Sequence, residues 1–137
     1  MSETAVAEIP NISIEYRHPY LIIKDIMDSY EAELRPLLTL GQMPFVSIDQ
    51  FRENIEKMGY ACEELGPEVF AARKMILSHL ERAVKGTPRT KGLPRISYGQ
   101  HLVRAIDDQF NLFRAALERD EVYLQLVSEE QGSDAAS

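Results

Sequence analysis

The chain contains 137 residues, of which 45% are apolar and 27% charged, and its formal net charge at pH 7 is −7. This length is typical of one domain, and the apolar content excludes a fully disordered chain. The N-terminal residues lack the basic and apolar regions of a secretory signal, and no apolar run approaches the roughly 20 residues of a membrane helix. The chain has a single cysteine, which cannot form an intramolecular disulfide. Together these features predict a cytoplasmic protein without a membrane span.

The first part of the chain predicts an extended N-terminal arm over residues 1–18. Apolar residues alternate with polar ones over residues 9–16, which is typical of a short edge strand. Pro19 suits the first turn of a helix, and apolar residues then recur every three or four positions. Because a proline inside a helix lacks an amide hydrogen and crowds the preceding turn, Pro36 predicts a stop or kink one or two residues before it.

The middle of the chain predicts a tight helical hairpin. Ser47 and Gln50 have the spacing of a capping box, so the second helix is expected to begin there and to end at Gly66 in a left-handed conformation. Pro67 then opens a third helix that Gly86 closes. The predicted core positions of these two helices are Phe51, Ile55, Met58, Cys62, Leu65, Phe70, Met75 or Ile76, Leu77, Leu80 and Val84.

A loop of about a dozen residues is predicted between Lys85 and Ile96, where glycine, proline and basic residues are frequent and apolar periodicity is absent. Ser97 and Gln100 repeat the capping pattern at the start of a fourth helix. The apolar stripe of this helix consists of Val103, Ile106, Phe110, Phe113 and Leu117.

The end of the fourth helix leaves two alternatives. Either the helix continues through Leu124 and Val127, or it breaks at residues 119–121 before a short final turn. Residues 129–137 are polar and predict a disordered tail.

Four amphipathic helices with mainly short connections bury their apolar stripes by packing against one another. This predicts an all-α fold, an antiparallel four-helix bundle over residues 19–128 with a long basic loop between helices three and four. A less regular all-α fold with an N-terminal strand docked on it is the alternative.

The charge distribution singles out one segment of this acidic chain. From Arg82 to Ile106 there is no Asp or Glu, whereas the segments before and after it are acidic. Such a basic segment attracts phosphates, anionic lipids or acidic protein surfaces. We therefore predict a contact surface built by the loop residues Lys85, Arg89, Lys91 and Arg95, with Arg82 and Arg104 supporting it from the flanking helices.

Other interpretations of the same charges remain open at this point. The basic loop could instead lean back on Glu118, Asp120 and Glu121 and only offset the self-repulsion of the acidic body. Tyr98 and His101 lie beside the basic residues and could stack on nucleic-acid bases. The acidic helix faces could also imitate phosphates and compete with nucleic acid for a basic groove.

No residue pattern nominates a catalytic or metal site. Glu15 and His18 form a single Glu-x-x-His pair, but a di-iron bundle needs a second copy, and Pro19 indicates that His18 caps a helix. His79 and His101 lack a partner at ligand spacing, and Cys62 occupies a core position. Phosphate-loop, nucleophile-elbow and Cys-x-x-Cys motifs are absent.

These patterns together predict a non-enzymatic protein-binding module without a cofactor, such as an adaptor, small subunit, chaperone or inhibitor of a larger complex. The alternatives are a nucleic-acid-associated component of a larger complex and an acidic inhibitor that mimics nucleic acid. Because amphipathic hairpins often pair around a two-fold axis, a homodimer is also open.

Overall fold

The computed structural model describes residues 17–85 and 95–136, together with the side chains of these residues except those of 95 and 133–136. In these ranges all regular secondary structure is helical, which confirms the all-α prediction. Most of the predicted arm and the loop at 86–94 lie outside the described residues. The helices are α1 (Pro19–Ser29), a π-helical segment (Tyr30–Leu34), α2 (Arg35–Thr39), α3 (Phe45–Lys57), α4 (Gly59–Leu65), α5 (Pro67–Lys85), α6 (Arg95–Glu118) and α7 (Glu121–Ala136).

The chain stays helical from α1 to the end of α2, so the helix does not stop before Pro36; of the predicted stop or kink, the stop is wrong, and a π turn, an irregularity of the kind that kinks a helix, lies there instead. His18 caps α1 as predicted, because its Nδ1 accepts a hydrogen bond from the Tyr20 amide at 3.1 Å. Directly before Pro36, the Arg35 amide donates to the Tyr30 carbonyl oxygen, five residues back. This wider π turn gives the proline ring room that a regular α-helical turn does not provide.

The predicted second helix begins and ends differently in the structure. It begins at Phe45, two residues before the predicted cap, and Ser47 is buried inside the helix. It also ends at Lys57, and α4 starts separately after Met58. The reason for the break lies in α5, because the guanidinium of Arg73 donates to the carbonyl oxygens of Ile55 and Glu56 at 3.1 and 3.0 Å. Carbonyl groups at a helix end need such partners.

Gly66 ends α4 with a positive φ of 130° and a ψ of 169°. The prediction of a positive φ is confirmed, but this conformation is extended and not left-handed helical. Pro67 then opens α5 as predicted.

The fourth predicted helix corresponds to α6, which begins at Arg95 and not at Ser97. Of the two alternatives for its end, the break at residues 119–121 is correct, but the short final turn predicted after it is wrong, because the 16-residue helix α7 follows. Asp120 caps α7, since its Oδ1 accepts hydrogen bonds from the amides of Val122 and Tyr123 at 2.9 and 3.1 Å. The last helix then runs to Ala136, where a polar tail was predicted from residue 129 onward.

Aromatic rings fill the centre of the core. Tyr30 stacks on Phe51 with a centroid distance of 5.1 Å, and Phe110 contacts both rings edge-on at 5.5 and 6.1 Å. Phe113 extends the cluster from Phe110 at 5.4 Å. The cluster thus joins α6 to the π segment and to α3. Cys62 is buried as predicted, and burial raises the pKa of its thiol to about 12, which suppresses nucleophilic chemistry.

The end of α2 approaches the first turns of α6 at backbone distance. Gly41 has a φ of 81°, and α2 ends in a Schellman motif in which the Gln42 and Gly41 amides donate to the carbonyls of Leu37 and Leu38. A Cβ atom on Gly99 would lie 2.0 Å from the carbonyl oxygen of Leu38. Only a glycine at position 99 allows this approach.

Candidate functional site

The candidate site lies where α5 and α6 face each other near the basic segment. His79 on α5 and His101 on α6 are in contact, with ring centroids 6.3 Å apart and an interplanar angle of 76°. Each histidine is separated from the connecting segment by a similar length of helix, as expected for neighbouring antiparallel helices. From the sequence alone, neither histidine had an identifiable partner.

A second residue pair extends the contact toward the helix ends. Arg82 follows His79 by three positions, and Tyr98 precedes His101 by three, so each pair lies on one helix face. The guanidinium of Arg82 donates to the Ser78 hydroxyl at 3.0 Å. We call His79, Arg82, Tyr98 and His101 the seam cluster.

Burial and the positive charge of Arg82 determine the protonation of His79 and Tyr98 in the seam cluster. Burial lowers the pKa of His79 below its usual 6.5, and the positive charges of Arg82 and His101 lower it further. Burial raises the pKa of Tyr98, which Arg82 partly opposes. At neutral pH the His79 imidazole is therefore neutral and the Tyr98 hydroxyl keeps its proton.

The lowered pKa of His79 predicts that the folding stability depends on pH. Because the pKa is lower in the folded chain, the unfolded chain binds more protons just below about pH 6.5, and stability falls as the pH decreases through that window. The variant His79→Gln lacks this linkage. We expect the denaturation midpoint of the unmodified chain to drop more between about pH 7 and about pH 5.5 than that of the variant. If the denaturation midpoints of both proteins fall by the same amount between these pH values, the lowered pKa of His79 is contradicted.

The six basic residues predicted from the sequence do not form one described surface. Arg82, which belongs to the seam cluster, and Lys85, which lies just beyond it, are both exposed on α5. Arg89 and Lys91 lie outside the described residues, and of Arg95 only the backbone is described, at the start of α6. The predicted surface is therefore described only in part.

Arg104 points into a different environment from Arg82. It lines a groove of about 410 Å³ between α2 and α6, together with Arg35, Asp107 and Asp108. In that groove Arg35 and Asp107 form an ion pair of 2.8 Å. Arg104 thus lies among carboxylates, whereas the cationic groups of the seam cluster do not.

Several arginines of the described residues, but not all of them, are paired with carboxylates; Arg73, for example, donates to the carbonyl oxygens of Ile55 and Glu56. Arg17, Arg35, Arg52 and Arg114 each form an ion pair with a carboxylate. Arg82 bonds the hydroxyl of Ser78 instead. Its charge is therefore available to an external anion.

The histidine contact could have been found from the sequence only by aligning the two helices around their connection. The sequence showed that the two helices are neighbours along the chain and that each histidine has a second polar residue three positions away. It did not show how each helix is rotated about its axis, which decides whether the two histidines face each other. Within the described residues no group of three or more His, Cys, Asp or Glu side chains could hold a metal ion.

Comparisons with known proteins add no further constraint. No family model matches the chain, and no match was found among curated proteins or among solved structures. Over residues 17–85 and 95–136, none of the helices combines the length and hydropathy that a bilayer crossing requires.

Proposed function

We propose that the chain is a non-enzymatic protein-binding module whose α5–α6 end receives an acidic segment of a partner protein. The observation that carries this proposal is the seam cluster, where His79 contacts His101 and the neighbouring Arg82 has no ion pair within the described residues of a chain of net charge −7. A positive site on an otherwise negative body orients an approaching partner and raises its rate of association.

Two neighbouring features support the proposal. Lys85 ends α5 as an exposed cation, and the sequence from Arg82 to Ile106 contains no acidic residue. Arg89, Lys91 and Arg95 extend the same basic segment and belong to the proposed contact surface.

The scaffold of the proposal is the antiparallel four-helix bundle predicted from the sequence. The first predicted helix corresponds to α1 together with α2, and the second corresponds to α3 together with α4. The third and fourth predicted helices correspond to α5 and α6. Rigid helices would hold the basic end in one geometry for docking, and the proposed setting is the cytoplasm.

A nucleic-acid-associated component is the second candidate function. The ring of Tyr98 lies close to the cationic Arg82, the ring of His101 contacts His79, and both rings could stack on bases. The net charge of −7 disfavours a polyanion that spans more than this one site.

Charge reversal tests the proposed protein contact. We expect the double variant Arg82→Glu, Lys85→Glu to lose a partner protein that the unmodified chain retains from nuclease-treated extract. With the purified partner, the affinity should fall at least about tenfold, because like charges then face each other, and the loss should shrink at high salt.

A matched control carries the same change in net charge elsewhere. Lys74 and Arg119 are both exposed and lie outside the seam cluster, so the double variant Lys74→Glu, Arg119→Glu should retain the partner. Equal binding by both double variants would overturn the proposal. Retention that disappears on nuclease treatment would favour the nucleic-acid function instead.

A further inference from the structure

We infer that the seam cluster is a binding site for a phosphoryl group, and that the acidic segment it receives carries a phosphorylated serine or threonine. This inference rests on the proposed function and names the chemistry of its ligand.

The donor groups of the seam cluster match what a phosphoryl group accepts. A phosphorylated side chain carries about −1.5 to −2 charges at pH 7 and three strong acceptor oxygens. Arg82 supplies a planar guanidinium whose paired N–H groups fit two such oxygens, while the imidazoles and the Tyr98 hydroxyl supply single donors. The 6.3 Å between the ring centroids of His79 and His101 brings imidazoles from both helices within reach of one small anion.

The position of the acidic residues also favours an anion at this site. Asp107 and Asp108 lie on the α2 side of α6, in the groove with Arg104, where they would repel a phosphate. At the seam, Arg82 donates to the neutral Ser78 and its positive charge acts on both His79 and Tyr98. Within residues 17–85 and 95–136, Arg82 has no ion pair with a carboxylate that an incoming anion would have to displace.

A phosphorylated protein segment fits this site better than a nucleic acid. Arg82 and Lys85 supply positive charge at this end of α5, and the acidic body around them would repel successive phosphates of a nucleic-acid strand. A single phosphoryl group presented by a peptide needs only this one point of positive potential.

Titration with inorganic phosphate tests the site without knowledge of the partner. At about pH 7.5 we expect the ring resonances of His79 and His101 to shift saturably, with a dissociation constant in roughly the millimolar range. Arg82→Gln should weaken this binding at least about tenfold. Arg104→Gln, which removes an equal charge from the groove lined by carboxylates, should leave it unchanged.

Several outcomes would overturn the inference. These are shifts that do not saturate, shifts that chloride reproduces at equal ionic strength, or an equal loss in Arg104→Gln and Arg82→Gln. Thermal unfolding of both variants, monitored by circular dichroism, establishes that the comparison is between folded proteins.

A second measurement separates the source of the phosphoryl group. An acidic peptide that contains one phosphoserine should bind at least about tenfold more tightly than its unphosphorylated form and more tightly than a single-stranded oligonucleotide. If the oligonucleotide binds more tightly, the phosphopeptide assignment is wrong. If phosphate binding fails while Arg82→Glu, Lys85→Glu still abolishes partner binding, only this inference is overturned and the proposed function stands.

Discussion

Replacing Phe110 by alanine is expected to lower the free energy of unfolding by about 3–5 kcal/mol. The Phe110 side chain is fully buried, and its ring contacts those of Tyr30, Phe51 and Phe113. Truncation would leave a cavity at the point where α6 meets the π segment and α3. Urea denaturation followed by helical circular dichroism measures the loss, with the slope of the transition checked for two-state behaviour.

Leu112 provides the control in the same helix. Its side chain is 41% exposed, so Leu112→Ala removes less buried surface and should cost well under half as much. If the two variants unfold at the same urea concentration, the aromatic cluster does not organise the core as described.

Gly99→Ala is expected to destabilise the fold by about 1–3 kcal/mol or more, although alanine is the better helix former. The added Cβ atom would lie 2.0 Å from the Leu38 carbonyl oxygen, which is a backbone atom and cannot rotate away. The C-terminal end of α2 would have to move away from α6. Thermal unfolding should show a lower midpoint than that of the unmodified chain.

Gly132→Ala is the matched substitution in an open environment. No atom lies within 4 Å of the position that its Cβ would occupy in α7, so this change should stabilise the helix by up to about 1 kcal/mol. Opposite signs for the two glycine variants are the expected result. A stabilising effect of Gly99→Ala would show that α2 and α6 do not approach each other as closely as described.

The helical fold and most core positions follow from the sequence because apolar periodicity is a local property. Phe110 and Phe113 were assigned to the core from their spacing alone, and both are buried. The break after Lys57 could not be predicted in the same way. It depends on Arg73, which is distant in the sequence and bonds the carbonyl groups at the end of α3.

The candidate site was predictable in its charge but not in its geometry. The absence of acidic residues from Arg82 to Ile106 is a property of the sequence. Which basic side chains share a surface depends on the rotation of each helix against its neighbours. That rotation places Arg104 in the α2–α6 groove and brings His79 to His101, and a linear charge pattern contains neither result.

The π segment has a consequence for tolerance to changes in chain length. Tyr30, Leu34 and Leu38 are all buried, at steps of four residues. If the exposed Ala32 were deleted, Leu34 and Leu38 would follow Tyr30 by three and seven residues, which still places all three on one face of a regular α-helix. The buried stripe would thus tolerate the deletion, but Pro36 would not, because its ring needs the wider π turn that the deletion removes.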